Sequence, residues 1–452
     1  MGTMKQRVGI YLDADQVLQQ PRYIEALRER LGLNLVILGF TGTLPQAVRA
    51  TSPFDGYPVS DARLHELLCT HVDGRPSYGT AGAHVLANEK RMVGPNAAAT
   101  GDDARLNRAI ALVHSAGCEV WLLSGGWTVD DFNVLMYCPS EPALMEWFGA
   151  LYTHLANAYG ADGLDVTHAR YIMTSHMRGL GLCACARCAR TAASFGYDMA
   201  AMVADLHDGV ARLARADARR LCEVVSLGFG ALDVMQFLGL RPGVMQWFDF
   251  RCRLLERNVA ALRAAVHRAA GDGFVFGTDT YPASLSLLAG HNHARLGESS
   301  DFASPLLSHV DIFPMETMVV WAHWFRAVQP ELSEETALRL AYRLGGYDGL
   351  EMPRTVEEFG FGGRPLTDEW RGEPDCEWSH NPLREMVRLD MAKARLMLPA
   401  ELPSYPIIQG GGAPHDWPRE IIDGVVADVY GTGHQGYVLQ GTSQLLDDTD
   451  WR

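Results

Sequence analysis

The chain of 452 residues carries a formal net charge of −15, with 48% hydrophobic and 21% charged residues, a balance that builds a large buried core and excludes a disordered chain. That negative field, uninterrupted by any long Lys/Arg run, turns away nucleic acid and anionic membranes as partners. No run of ~18 uncharged apolar residues occurs, and MGTMKQR passes straight into VGIYL without a secretory pattern, so a cytoplasmic protein is expected.

VGIYL at 8–12 reads as a strand buried on both faces, followed by a helix at 21–32. In that helix Pro21 suits the first turn, Ile24, Leu27 and Leu31 share a face, and Gly32 suits the stop. LNLVILGF at 33–40 is the second strand. A helix at 104–116 leads through Gly117 into the strand CEVWLLS at 118–124, and a helix at 142–159 leads into GLDVT at 163–167. Helical stretches at 198–216 and 254–270 precede the strand FVFGTD at 274–279. The apolar run HVDIFPME at 309–316 is expected as the sixth strand, with a helix at 333–344 behind it. PIIQG at 406–410, a helix at 418–430 and GYVLQG at 436–441 complete eight strand and helix units.

Eight such units predict an α/β protein, a (β/α)8 TIM barrel, spanning 1–452 as one domain with insertions at about 41–103 and 345–380. An open doubly wound sheet would want a phosphate-binding glycine turn after the first strand, and LDADQVL is no such turn. The long connections are expected to form lids or contacts between copies in a homo-oligomer.

In such a barrel the C-terminal strand ends converge on one mouth. Asp13 and Asp15, Ser124 and Trp127, Asp165, Thr167, His168 and Arg170, Asp279, Glu316, Gln409 and Gln440 stand at those ends, with Tyr171 and Tyr281 nearby. Carboxylates, amides and aromatic rings are what carbohydrate requires, since planar polar groups pair with hydroxyls and ring faces cover C–H surfaces. Glycoside hydrolysis uses two carboxyl groups, about 5 Å apart for retention and about 6.5–9.5 Å apart for inversion. Asp165, Asp279 and Glu316 are the candidates for catalysis. Each also has a structural use: Asp165 as a partner of Arg170, Asp279 as a cap before Pro282, Glu316 as a solvated loop residue. Asp13, Trp127, His168, Arg170, Tyr281, Gln409 and Gln440 are candidates for substrate binding. His168 and Arg170 share a direction only if the fourth strand persists through them.

Of nine cysteines, Cys69, Cys118, Cys138, Cys222, Cys252 and Cys376 read as reduced, buried thiols. Cys183, Cys185 and Cys188 in GLCACARCAR have spacing that lets three sulfurs meet one ion, with His168, His176 or Cys222 open as the fourth ligand of a structural zinc. Plain packing or a redox-sensitive thiol pair is the other reading.

The runs DGLDVTHARY, GLCACARCARTAASFGYD, FVFGTDTYPASLSLLAGHNH and VDIFPMETM, in this order over 162–318, resemble the little-characterised glycoside-hydrolase-like barrel proteins of bacteria. Those proteins often carry a strand ending in Arg-Tyr or Arg-Phe, a cysteine loop before a helix, and a Gly-x-Asp strand with a downstream Pro-Ser-Leu. The fourth strand is also similar to the α-amylase clan, in which an aspartate three residues before the arginine is the nucleophile. Here that place is Thr167, and the nearest acid is Asp165. The resemblance implies a glycosidase acting on a saccharide without a required cofactor. A non-hydrolytic carbohydrate-binding barrel and a metal-assisted lyase or isomerase are the alternatives.

Overall fold

Eight parallel strands form the centre of the protein, which is described from a computed structural model covering residues 5–54, 59–77, 101–130, 134–359, 382–410 and 419–440. They are β1 (Arg7–Leu12), β2 (Leu35–Gly39), β3 (Glu119–Gly125), β4 (Gly163–Thr167), β5 (Val275–Thr280), β6 (Ala303–Pro305), β7 (Ile407–Gln409) and β8 (Gly436–Gln440). Each pairs with its neighbours in chain order from β1 to β6, β7 pairs with β8, and β8 pairs with β1. Between β6 and β7 the parallel bridges Ala303 to Ser404 and Leu306 to Ile407 complete the ring. A closed ring leaves no edge to protect, and its all-parallel strands are buried on both faces, which is why they read as apolar runs. The chain is thus an α/β protein with a (β/α)8 TIM barrel.

The local signals that start and stop the helices act as the sequence predicts. Pro21–Leu31 begins on its proline and ends at Gly32, whose φ of 73° is left-handed. Pro142–Ala158 again opens on proline, and Met199–Arg215 is capped by the Asp198 carboxylate on Ala200 and Ala201. Gly243–Ala270 begins eleven residues before the expected 254, because Trp247, Phe250 and Arg251 extend its buried face. None of the described helices is long and apolar enough to cross a membrane.

The sixth strand is a correction. It is the three-residue Ala303–Pro305, whereas the run expected as a strand contains the π-helical turn Asp311–Glu316 that continues into the helix Thr317–Val328. Pro314 lies inside that turn and cannot donate to a ladder, and a short apolar run does not by itself distinguish strand from buried helix.

Side chains alternate in and out along each strand. The N-terminal half of the interior is filled by Trp121, Phe302 and Tyr405, with ring centroids of Trp121 and Phe302 4.5 Å apart and of Trp121 and Tyr405 6.3 Å apart. Arg7 lies over both Trp121 and Tyr405 and is held by Glu119 at 2.8 Å and the Tyr405 hydroxyl at 2.8 Å. Gly277 is the close approach this layer requires, since a Cβ there would stand 2.6 Å from the Phe302 ring. The floor is therefore packed, and any chemistry belongs to the opposite end.

Candidate active site

Tyr11 on β1 donates its hydroxyl to Asp165 Oδ2 on β4 at 2.7 Å. These strands are not neighbours, so the bond crosses the barrel interior and both side chains point inward. Asp165 pairs in register with Gly277 on β5, and Asp279, two residues further on, shares that face. Asp279 accepts the Thr167 hydroxyl at 2.9 Å and the His168 N–H at 3.1 Å. Asp165 is wholly buried and Asp279 is 2% exposed. Two of the three candidate acids thus face one interior from adjacent strands.

Their hydrogen-bond partners differ. Burial first, and the charge of Asp279 second, push the Asp165 carboxyl up to about 8, against the smaller pull of the Tyr11 hydroxyl and the Asp279 backbone. Burial and the two acids also hold Tyr11 well above its usual range, so it remains a donor. Asp279 accepts on both oxygens, from the Thr167 hydroxyl on Oδ2 and the His168 N–H on Oδ1, with the Thr278 hydroxyl 3.4 Å from Oδ1.

The pairing of Gln440 with Gln409, and of Val438 with Gly9, puts both amides on the face that carries Tyr11. Gln440 accepts the Ser308 hydroxyl at 2.8 Å, and Ser308 is 2.8 Å from His309 Nδ1. From there an aromatic column rises: His309 stacks on Phe313 at 5.1 Å, and Phe313 stacks on Tyr281 at 4.7 Å. The Arg170 guanidinium lies over Phe313 at 5.1 Å and Tyr281 at 5.4 Å, where ring faces partly replace its water. His291, which burial pushes down to about 3, stays neutral; its Nδ1 accepts the Tyr281 N–H at 3.0 Å and its Nε2 lies 3.0 Å from the Ala169 carbonyl. This bridge fixes the ends of β4 and β5 against each other.

Other candidates stand differently from expectation. Glu316, which is 7% exposed, ends the turn that carries Phe313 rather than a strand. Asp13 caps the helix Ala14–Gln19, accepting Gln16 N–H at 2.7 Å while the Gln16 side chain returns to Asp13 N–H, and Asp15 pairs with Arg105. Trp127 is wholly buried, 5.3 Å from the Phe148 ring, so its faces pack in the interior. β4 ends at Thr167, and His168 turns the chain with a φ of 59°, so His168 and Arg170 do not continue one strand face.

Cys183, Cys185 and Cys188 converge, and the fourth group beside them is Cys138, not His168, His176 or Cys222. Cys222 instead lies 3.4 Å from the Thr336 hydroxyl. Cys376 falls outside the described residues. Among the described residues, these sulfurs are the one set of three or more His, Cys, Asp or Glu groups close enough to share an ion, so the acids of the mouth do not form such a set.

Tyr11, Ser308, His309 and Phe313 were not singled out by sequence. Tyr11 carried a usable signal, as the one polar-tipped side chain in VGIYL. His309 and Phe313 were hidden by assigning their segment to a strand.

No protein-family model and no curated protein matches the chain. Among solved structures it is similar to the PgaB (BpsB) glycoside hydrolase domain from Bordetella bronchiseptica, at 13% identity over 99% of this chain and 97% of that one, with a TM-score of 0.49. It is also similar to the catalytic domain of a beta-amylase from Paenibacillus polymyxa, at 8% identity over 97% and 93% of the two chains, with a TM-score of 0.42.

Proposed function

We propose that this protein is an O-glycosyl hydrolase acting on a small or oligomeric saccharide. The observation that carries the proposal is the buried pair of Asp165 and Asp279 on adjacent strands, with one carboxyl pushed up to about 8 and the other held by two donors. Glycoside hydrolysis needs one carboxyl group that carries a proton and a second that acts as nucleophile or base, and the raised Asp165 is suited to the first role. Asp165, neutral near pH 7, would give its proton to the departing glycosidic oxygen. Asp279 would act on the other side of the anomeric carbon, as nucleophile or as base toward water. Glu316 is a third carboxyl group on the neighbouring turn. Gln409, Gln440 and Arg170 are suited to sugar hydroxyls, with Tyr281 and Phe313 shaping the wall beside them.

The second reading is a barrel that binds sugar without cleaving it. Thr167 favours it, since this hydroxyl stands at the position of the α-amylase clan's nucleophile and is bonded to Asp279. Metal-assisted lyase or isomerase chemistry finds no comparable support at the mouth, where the described acids do not gather at ion-sharing distance.

Incubation with a panel of aryl glycosides and oligosaccharides, followed by reducing-end and product analysis, separates the two. The proposal expects turnover on at least one member of the panel, with a rate that falls as the pH rises through about 8. Sugar binding with the glycoside recovered intact would assign the barrel to the second reading.

A further inference from the structure

Two loops on the C-terminal side of the barrel are joined by sulfur. Cys138 follows the short hairpin of Thr128–Asp130 and Leu135–Met136 after β3, and Cys183, Cys185 and Cys188 lie in the loop after β4. All four Sγ atoms lie within 4.8 Å of one another, with Cys138 3.5 Å from Cys185, 3.6 Å from Cys188 and 4.0 Å from Cys183. A disulfide would bring two sulfurs to about 2.05 Å. Four thiolates at about 2.3 Å from a zinc ion instead form a tetrahedron with edges of about 3.8 Å, and the three separations bracket that value.

The surroundings match the charge of such a centre. Four thiolates and one divalent ion leave two negative charges, which need donors and cations nearby. The Thr70 N–H points at Cys183 Sγ from 3.3 Å and the Cys188 N–H at Cys185 Sγ from 3.5 Å. The Arg187 side chain faces Cys138 and Cys185, and Arg257 stands near Cys188. Cys138, Cys183 and Cys188 are buried and Cys185 is half-buried. With four protein ligands no position is left for water, which makes the site structural rather than catalytic.

We infer that Cys138, Cys183, Cys185 and Cys188 hold one zinc ion that ties the loop after β3 to the loop after β4. The segment from His168 to Leu182 is then anchored at both ends, by β4 on one side and by the ion on the other. That segment carries Arg170 and Thr174, and Thr174 donates its N–H to the Tyr281 hydroxyl at 3.1 Å. The ion therefore sets the frame of the aromatic column without touching it.

The test uses the full chain, purified without chelator from zinc-containing medium, and needs no substrate, so its outcome is independent of the proposed activity. Elemental analysis should find about one zinc per chain, released in step with modification of four thiols by a mercurial. Replacing the metal with Co²⁺ in the wild-type protein should give the intense thiolate charge-transfer and visible bands of a tetrahedral four-sulfur site. Cys188→Ala should cut the zinc content at least several-fold, while Cys222→Ala should leave it unchanged. Metal-free wild-type protein that takes up no Co²⁺, a disulfide found by mass spectrometry between any two of the four, or isolation with iron in place of zinc would each overturn the assignment.

Discussion

Asp279→Asn is expected to lower the turnover of a cleavable glycoside by about 10²–10⁴-fold while the barrel stays folded. The amide keeps an oxygen for the His168 N–H, and the Thr167 hydroxyl can rotate to accept from the new NH₂, so both contacts of the native carboxylate survive in form. What would be lost, on the proposed reading, is the carboxyl group that acts on the anomeric carbon as nucleophile or base, a role an amide does not fill. Steady-state kinetics together with thermal melting read the two effects separately. A variant that melts like the wild type and turns over at the wild-type rate would remove Asp279 from the chemistry.

Asp165→Asn is expected to change how stability depends on pH, by several kcal/mol across the range. The folded carboxyl is pushed up to about 8 from its usual 3.8, so between those values the folded chain holds a proton that the unfolded chain has released. Stability rises with pH only where the unfolded state binds more protons, and here it binds fewer. The contribution of Asp165 is thus fully present below about pH 4, declines as the pH rises toward 8, and is level above that. Each unit of separation is worth about 1.4 kcal/mol. Asparagine still accepts the Tyr11 hydroxyl and cannot ionise, so its stability should gain on the wild type as the pH rises. Urea unfolding at about pH 5 and about pH 9 measures that gain. Parallel curves at the two pH values would mean that Asp165 carries no raised protonation.

The barrel was legible in the sequence because strands buried on both faces cannot afford charge, so GLDVT and FVFGTD declare both their class and the exceptional aspartate inside each. The same property made DIFPME misleading, since a buried turn of helix is as apolar as a strand and only Pro314 spoke against one. Cys138 read only as a reduced, buried thiol for another reason: local spacing can bring together Cys183, Cys185 and Cys188, but a sulfur from the preceding loop joins them only through tertiary folding. Arg170 lies over the rings of Tyr281 and Phe313, which come from two other segments of the chain. The column of His309, Phe313 and Tyr281 likewise exists only once β6 is short and the turn after it is helical.

The central claim is that the barrel holds a protonated carboxyl group, that of Asp165, beside a second buried carboxyl group on the adjacent strand, and infrared titration of the folded protein tests it most directly. A protonated carboxylic acid band should be present at neutral pH, fade as the pH passes about 8, and be missing from Asp165→Asn. A spectrum in which Asp165 is already ionised at neutral pH would contradict the assignment of acid and base.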